Sequence, residues 1–166
     1  MAAKQIDVSP LARVRSSFRQ LHQVANALNT SSDELGLAVA VWDEKLKELN
    51  LGVSAWVELS AGGEEPKWWK RKLGYARVKD RWGIAIASSS GDLRNPEHDT
   101  SDVVLFNDAS RWLRLEAAAR LPDLLEALMK QAQDVARLID KRTAEVRVLA
   151  DGLVELATEL QCEVPF

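Results

Sequence analysis

Two long stretches of this chain repeat apolar residues at alternating spacings of three and four positions. They span Pro10–Leu49 and Leu121–Leu160, and eleven of the twelve repeat positions in each are apolar. This heptad spacing keeps one apolar stripe, here called the seam, on the side of a helix that faces a partner. We therefore predict two long helices. The first seam consists of Leu11, Val14, Phe18, Leu21, Ala25, Leu28, Ser32, Leu35, Val39, Trp42, Leu46 and Leu49. The second consists of Leu121, Leu125, Leu128, Ala132, Val135, Ile139, Arg142, Val146, Leu149, Leu153, Leu156 and Leu160.

The first of these helices has a clear start but a polar middle. Ser9 followed by Pro10 fits an N-cap and the first helical position. Within Asn29–Asp33, Ser31 together with the following Glu34 would suit a capping box that opens a second helix. The seam keeps its phase across this stretch, which favours one helix, straight or kinked.

The second helix carries one polar residue in its seam, Arg142. A single polar seam residue can set the register or the choice of partner. Alternatively, the aliphatic stem of Arg142 lies on the seam while its guanidinium reaches water. Pro122 suits the first turn of this helix, and a shorter helix is predicted to precede it over Ala109–Arg120.

The region between the helices has the alternation of β-strands. A two-residue turn at Lys79-Asp80 would pair Tyr75 with Ile84, whereas a three-residue turn would pair Val78 with Trp82, and the sequence leaves both registers open. Ser88–Asp102 is interpreted as a polar loop. The predicted strands are Val53–Ser60, Trp68–Val78 and Trp82–Ser88, with a short fourth strand over Val103–Phe106.

These elements predict an α+β fold in one domain over residues 1–166, with parts 10–49, 53–106 and 109–160. The simplest arrangement is an antiparallel, coiled-coil-like helical hairpin with the small antiparallel sheet at one end. Further apolar residues flank both seams, and a stripe of that width normally seeks more helices. We therefore expect a homodimer or homotetramer that assembles through the long helices.

Composition narrows the class of protein. The chain of 166 residues is 46% hydrophobic and 28% charged, with a net charge of −3, which is typical of a folded domain without a global attraction to nucleic acid. A single cysteine, Cys162, rules out a disulfide within one chain. No secretory signal stands in Met1–Pro10 and no apolar run is long enough to span a membrane, so we expect a cytoplasmic protein that does not bind membranes.

The strongest candidate for a binding surface is the basic stretch Lys67–Arg81, in which seven basic residues accompany one acid, Asp80. Indole faces can stack on planar groups and cations can neutralise phosphates, as in proteins that bind single-stranded nucleic acid. Equally, the cations can protect an edge strand from pairing, or they can dock on an acidic protein surface. On a strand, Trp68, Lys70 and Lys72 would share one face. The predicted partner-binding residues are Trp68, Trp69, Lys70, Arg71, Lys72, Arg77 and Arg81.

A second candidate is His98, which lies near Asp92, Asp99 and Asp102. Such a cluster can bind a metal or act as a base. No second histidine stands nearby and the spacing matches no known ligand set, which favours a solvated loop. We therefore predict no metal, cofactor or catalytic residue.

Four functions follow as hypotheses. The first is a non-enzymatic, self-associating interaction or regulatory protein that contacts a protein partner through its Trp/Arg-rich sheet. The second is a nucleic-acid-binding regulator that uses residues 67–81. The third is an enzyme whose site is assembled between subunits around Asp92, His98, Asp99 and Asp102. The fourth comes from layout: the order long helix, small sheet, long helix resembles the subunits of prefoldin-type chaperones, without a matched residue motif or a counterpart of Ala109–Arg120, and it implies a chaperone assembly.

Overall fold

The computed structural model describes residues 10–162. These residues divide between Lys45 and Leu46 into two compact units. The first is formed by most of the first long helix, and the second contains the sheet and the remaining helices. As predicted, the fold class is α+β, with a long helix near each end of the chain and a four-stranded antiparallel sheet between them.

Helix α1 runs from Pro10 to Glu48 without a break. The polar stretch Asn29–Asp33 is therefore helical, as the unshifted seam phase favours. A polar side chain of this stretch bonds within the helix: the Thr30 hydroxyl donates to the Asn26 carbonyl over 3.1 Å. The helix ends next to Asn50, whose φ of 46° places it in the left-handed region typical of a C-terminal stop. The predicted N-cap, Ser9, lies outside the described residues.

The sheet is a meander in which strands β1, β2, β3 and β4 lie in chain order, each antiparallel to the next. β1 begins and ends two residues later than predicted, and β2 agrees with the prediction to within one residue. The strands are β1 (Ala55–Gly62), β2 (Lys67–Val78), β3 (Arg81–Asp92) and β4 (Thr100–Leu105).

The turn between β2 and β3 has the two-residue form, one of the two alternatives that the sequence leaves open. Lys79 and Asp80 both have positive φ, at 45° and 67°, as a type I′ turn requires. Tyr75 consequently pairs with Ile84, and Leu73 pairs with Ile86. This register puts the large apolar residues of the two strands on one face and small residues on the other.

The interpretation of Ser88–Asp102 as a loop is wrong at both of its ends. β3 continues to Asp92, and β4 begins at Thr100. Serine and threonine side chains bond across these strands: the Ser90 and Thr100 hydroxyl oxygens lie 3.0 Å apart, and those of Ser89 and Ser101 lie 3.2 Å apart. Cross-strand hydroxyl pairs thus add to a backbone pairing of β3 with β4 that the apolar pattern does not reveal.

Helices α2 (Arg111–Ala118) and α3 (Leu121–Cys162) complete the fold, each within about two residues of its predicted ends. Pro122 lies in the first turn of α3, where its missing N–H costs no helical bond. α3 packs on β1 and β2 and buries Leu121, Leu124 and Leu128, whereas the seam residue Leu125 stays partly exposed. Its contact with the sheet is therefore made by the side of the stripe that contains Leu124.

Beyond Val135, every apolar seam residue of α3 that the structure describes is exposed. The amino-terminal half of α1 also carries an exposed apolar stripe, including Leu11, Val14 and Phe18. Within residues 10–162, no helix is both long enough and apolar enough to cross a membrane.

Candidate functional site

Three tryptophans of the sheet each lie opposite a glycine on the neighbouring strand. Trp56 pairs with Gly74, Trp68 with Gly91 and Trp69 with Gly62. A Cβ atom added at Gly62 would come within 2.9 Å of the Trp69 ring, and one at Gly91 would come equally near the Trp68 ring. Each indole therefore covers a glycine, an arrangement that stabilises a weak β residue through its neighbour. The sequence indicates these pairs only once the strand register is known.

Trp68 and Trp69 are consecutive on β2 and therefore occupy opposite faces of the sheet, as predicted. On the face of Trp69, the guanidinium carbon of Arg71 lies 4.9 Å from the indole centroid. At this distance the positive charge is attracted by the electron-rich ring face. A terminal nitrogen of Arg71 lies 3.6 Å from a carboxylate oxygen of Glu116 on α2. The guanidinium thus lies between an aromatic face and a carboxylate, and Trp69 remains 37% exposed.

A cleft of about 390 Å³, here called the Trp69 cleft, adjoins this pair. Its lining is rich in hydroxyl groups from the paired ends of β3 and β4, and Leu113 of α2 closes one side. It therefore offers an aromatic face, a cation and several hydroxyls side by side. The lining residues are Trp69, Lys70, Arg71, Ser88, Ser89, Ser90, Thr100, Ser101, Asp102 and Leu113.

Lys70 and Lys72 follow Trp68 on the other face of the sheet. The Lys70 ammonium lies 2.5 Å from a carboxylate oxygen of Glu58 on β1. The hydrogen bond and the positive charge of Lys70 lower the pKa of Glu58 below its ordinary value of 4.5, and the charge of Lys72 adds a smaller effect. One of the two cations is therefore already paired with an acid.

Arg77 and Arg81 lie at the opposite end of the β2–β3 hairpin. Arg77 donates to Asp80 over 2.9 Å, and Arg81 lines a separate cleft of about 310 Å³ with Tyr75 and Trp82. Eight residues of extended chain from Trp69 to Arg77 cover roughly 26 Å. The seven predicted partner-binding residues thus form three groups: Trp69 with Arg71, Trp68 with Lys70 and Lys72, and Arg77 with Arg81.

His98 ends a short 3₁₀ helix, Pro96–His98, between β3 and β4. It lines a cleft of about 640 Å³ with Trp68, beside the turn that Asp92 and Asp99 stabilise. Asp99 accepts a bond from the Asp92 backbone over 3.2 Å, and Asp92 accepts one from the Arg94 backbone over 2.9 Å. Both carboxylates therefore order the backbone. Among residues 10–162, no three His, Cys, Asp or Glu side chains are grouped so that they could hold a metal ion.

Asp102, the remaining member of the predicted His98 cluster, lies on β4 opposite Ser88 and lines the Trp69 cleft instead. Asp102 does not line the cleft that His98 lines, although the two clefts share Trp69, Ser90 and Thr100.

Comparison with known proteins places the chain beside none of them. No protein-family model, no curated protein and no solved structure matches it. Function is therefore inferred from the side chains and their surroundings.

Proposed function

We propose that this chain is a non-enzymatic, self-associating interaction protein of the cytoplasm. Copies assemble through the long helices, and the Trp/Arg-rich sheet contacts a protein partner. The exposed seam of α3 carries the first part of this proposal, and the Trp69–Arg71 pair supports the second.

The carboxyl-terminal part of α3 is a long apolar stripe that the sheet does not cover. Six consecutive apolar seam residues are exposed there, each by more than half: Ile139, Val146, Leu149, Leu153, Leu156 and Leu160. Burying one such side chain is worth about 1.5–3 kcal/mol, and stripes of this size on folded proteins usually mark interaction sites. A helix without tertiary packing is also only marginally stable in water. Self-association supplies the packing that this segment needs.

The assembly test compares two neighbouring substitutions on α3. Leu149 lies in the seam and Val148 lies outside it, yet their exposed fractions are close, at 68% and 71%. We expect Leu149→Asp to weaken self-association by at least about tenfold, because the charge would be buried between helices. Val148→Asp is the matched control and should leave the assembly unchanged. Light scattering and sedimentation give the oligomer mass; a wild-type monomer at tens of micromolar would refute self-association.

The second part of the proposal concerns the sheet. Trp and Arg are the residue types most enriched at the energetic centres of protein interfaces. The Trp69–Arg71 pair presents both together, next to an apolar leucine and a row of hydroxyls. The Glu116 carboxylate forms an ion pair with Arg71 before any partner binds, and this attraction favours a position of Arg71 beside Trp69.

The partner test uses affinity capture from host cells, with quantitative mass spectrometry of wild type and two variants. Trp69→Ala should reduce the captured partner by more than about tenfold, as the loss of an interface anchor would. The control is Trp112→Ala, because Trp112 is an exposed tryptophan of α2 outside the Trp69 cleft. Equal capture by all three proteins would remove the sheet from the proposal.

Nucleic acid is the competing ligand for the same side chains. Lys70, Arg71 and Arg77 each have a carboxylate partner, which reduces the charge available for phosphates. If the purified protein nevertheless bound DNA or RNA with affinity falling steeply with salt, and Lys70/Arg71/Lys72→Ala abolished this binding, the protein-partner proposal would give way to the nucleic-acid one.

A further inference from the structure

The exposed part of α3 has an uneven distribution of charge along its length. From Arg137 to Arg147 it carries four basic residues and two acids, a net charge of +2. From Val148 to Leu160 it carries three acids and no basic residue, a net charge of −3. Two copies of this segment attract each other when they run antiparallel and repel when they run parallel. The residues are Arg137, Asp140, Lys141, Arg142, Glu145 and Arg147 in the first part, and Asp151, Glu155 and Glu159 in the second.

The seam itself distinguishes the same two orientations. In a parallel pair in register, each seam residue faces its own copy, so that two Arg142 side chains would meet between the helices. In an antiparallel pair centred between Arg147 and Val148, Arg142 instead faces Leu153 of the other copy. This register also pairs Val135 with Leu160. It therefore uses the whole exposed seam and ends before the residues that pack on the sheet.

Side-chain geometry at Arg142 fits that arrangement. A terminal nitrogen of Arg142 lies 2.6 Å from a carboxylate oxygen of Glu145, one turn further along. The charged end of Arg142 is thus held beside the seam, and its aliphatic stem remains available to pack on Leu153 of a second copy.

Gly152 supplies an independent observation. A Cβ atom at Gly152 would have nothing within 4 Å, so no described contact within the chain requires a glycine there. Glycine nevertheless lowers helix propensity relative to alanine in the middle of this helix. In the antiparallel register, Gly152 and Glu145 of the other copy lie on the same flank of the seam, about 3 Å apart along the axis, and the missing side chain makes room for the Arg142–Glu145 pair.

We propose that residues 135–160 of α3 bind the same segment of a second copy, antiparallel and centred between Arg147 and Val148. This inference rests on the proposed self-association and specifies its surface and orientation. The amino-terminal half of α1 is less suited to pairing with its own copy, because residues 10–32 contain Arg13, Arg15 and Arg19 and no acidic residue.

The orientation is tested by spin labelling of the full chain, with Cys162 replaced by Ser so that only the introduced cysteine is labelled. Ala144→Cys and Thr158→Cys each put one label on the side of α3 away from the seam. At a rise of about 1.5 Å per residue, the antiparallel pair separates the two labels along the helix axis by about 10 Å at position 144 and about 32 Å at position 158. A parallel pair gives similar distances at both positions. Pulsed electron paramagnetic resonance should therefore give a mean distance at 158 that exceeds the one at 144 by roughly 10 Å or more.

A second measurement tests the close approach at Gly152. Gly152→Met introduces a better helix former but fills the space beside Glu145 of the other copy, and it should raise the dissociation constant about tenfold or more. Ala144→Met makes a similar addition on the outer side and should leave the dissociation constant unchanged. Circular dichroism verifies that both variants remain helical.

The outcomes separate the two proposals. Any of three results from an oligomer would overturn the antiparallel pairing and leave self-association standing. These are equal label distances at 144 and 158, no measurable distance between copies at 144, and unchanged association in Gly152→Met. A strict monomer would overturn both.

Discussion

Helix α3 contains two regions with the same heptad pattern and different surroundings. Near its start, the seam residues Leu121 and Leu128 are buried, because α3 packs there on β1 and β2. Beyond Val135 the pattern continues unchanged, yet the apolar seam residues are exposed. The heptad pattern thus predicts which face of a helix packs against another element, but it does not identify that element. The covering element is the sheet in the first region and, in our proposal, a second copy in the other.

The largest test of this contrast uses two leucines at equivalent heptad positions. Leu128 is 2% exposed and Leu156 is 57% exposed. We expect Leu128→Ala to lower the free energy of unfolding by about 2–5 kcal/mol, since it leaves a cavity against the sheet. Leu156→Ala should instead weaken self-association, with little effect on the folding of the dissociated chain. Urea unfolding at several protein concentrations separates the two effects.

The two substitutions would have similar effects if the exposed seam of α3 packed on another part of the same chain. Leu156→Ala would then destabilise the monomer as strongly as Leu128→Ala, at every protein concentration. Self-association through this surface would in that case be excluded.

A smaller effect is expected at the β2–β3 turn, which lies within the sheet. Lys79 has a φ of 45°, a region that asparagine tolerates better than lysine. Lys79→Asn should therefore raise the free energy of unfolding by about 0.5–1 kcal/mol. Lys79→Ala removes the same charge without relieving the backbone and should bring no gain. Thermal unfolding measures both, and a changed oligomer mass in Lys79→Asn would contradict the separation of sheet and assembly surface.

Much of the fold is predictable from the sequence because its signals are local. The unshifted phase of the seam predicts that α1 continues across Asn29–Asp33, and boundary residues such as Pro122 indicate where α3 begins. The polar ends of β3 and β4 are not predictable in this way. Ser90 resembles a loop residue until Thr100 is paired with it, and that pairing depends on residues distant in sequence.

In the candidate site, too, local features are predictable from the sequence, whereas contacts between distant residues are not. Alternation along a strand is enough to predict that Trp68 and Trp69 point to opposite faces. The sequence alone does not reveal that Arg71 meets Glu116, because α2 reaches this face only in the folded chain. The basic stretch Lys67–Arg81 looks continuous in the sequence, whereas pairing with acids and the length of β2 divide it into separate groups.

The smallest expected effect concerns the Glu58–Lys70 pair, which belongs to the well-packed sheet but lies on its exposed surface. Lys70 lowers the pKa of Glu58 below 4.5, so the pair stabilises the fold only while Glu58 is ionised. Its contribution is present above the ordinary pKa and is lost as the pH falls through the lowered value. The difference in urea midpoint between wild type and Glu58→Gln should therefore be small at pH 7 and shrink towards zero at lower pH. Glu64→Gln removes an equal charge near β1 and should show no such trend. If the difference in urea midpoint persisted below the lowered pKa of Glu58, it would come from packing of the Glu58 side chain and not from its charge. The exposed face of the sheet would then be stabilised by packing, as the buried start of α3 is.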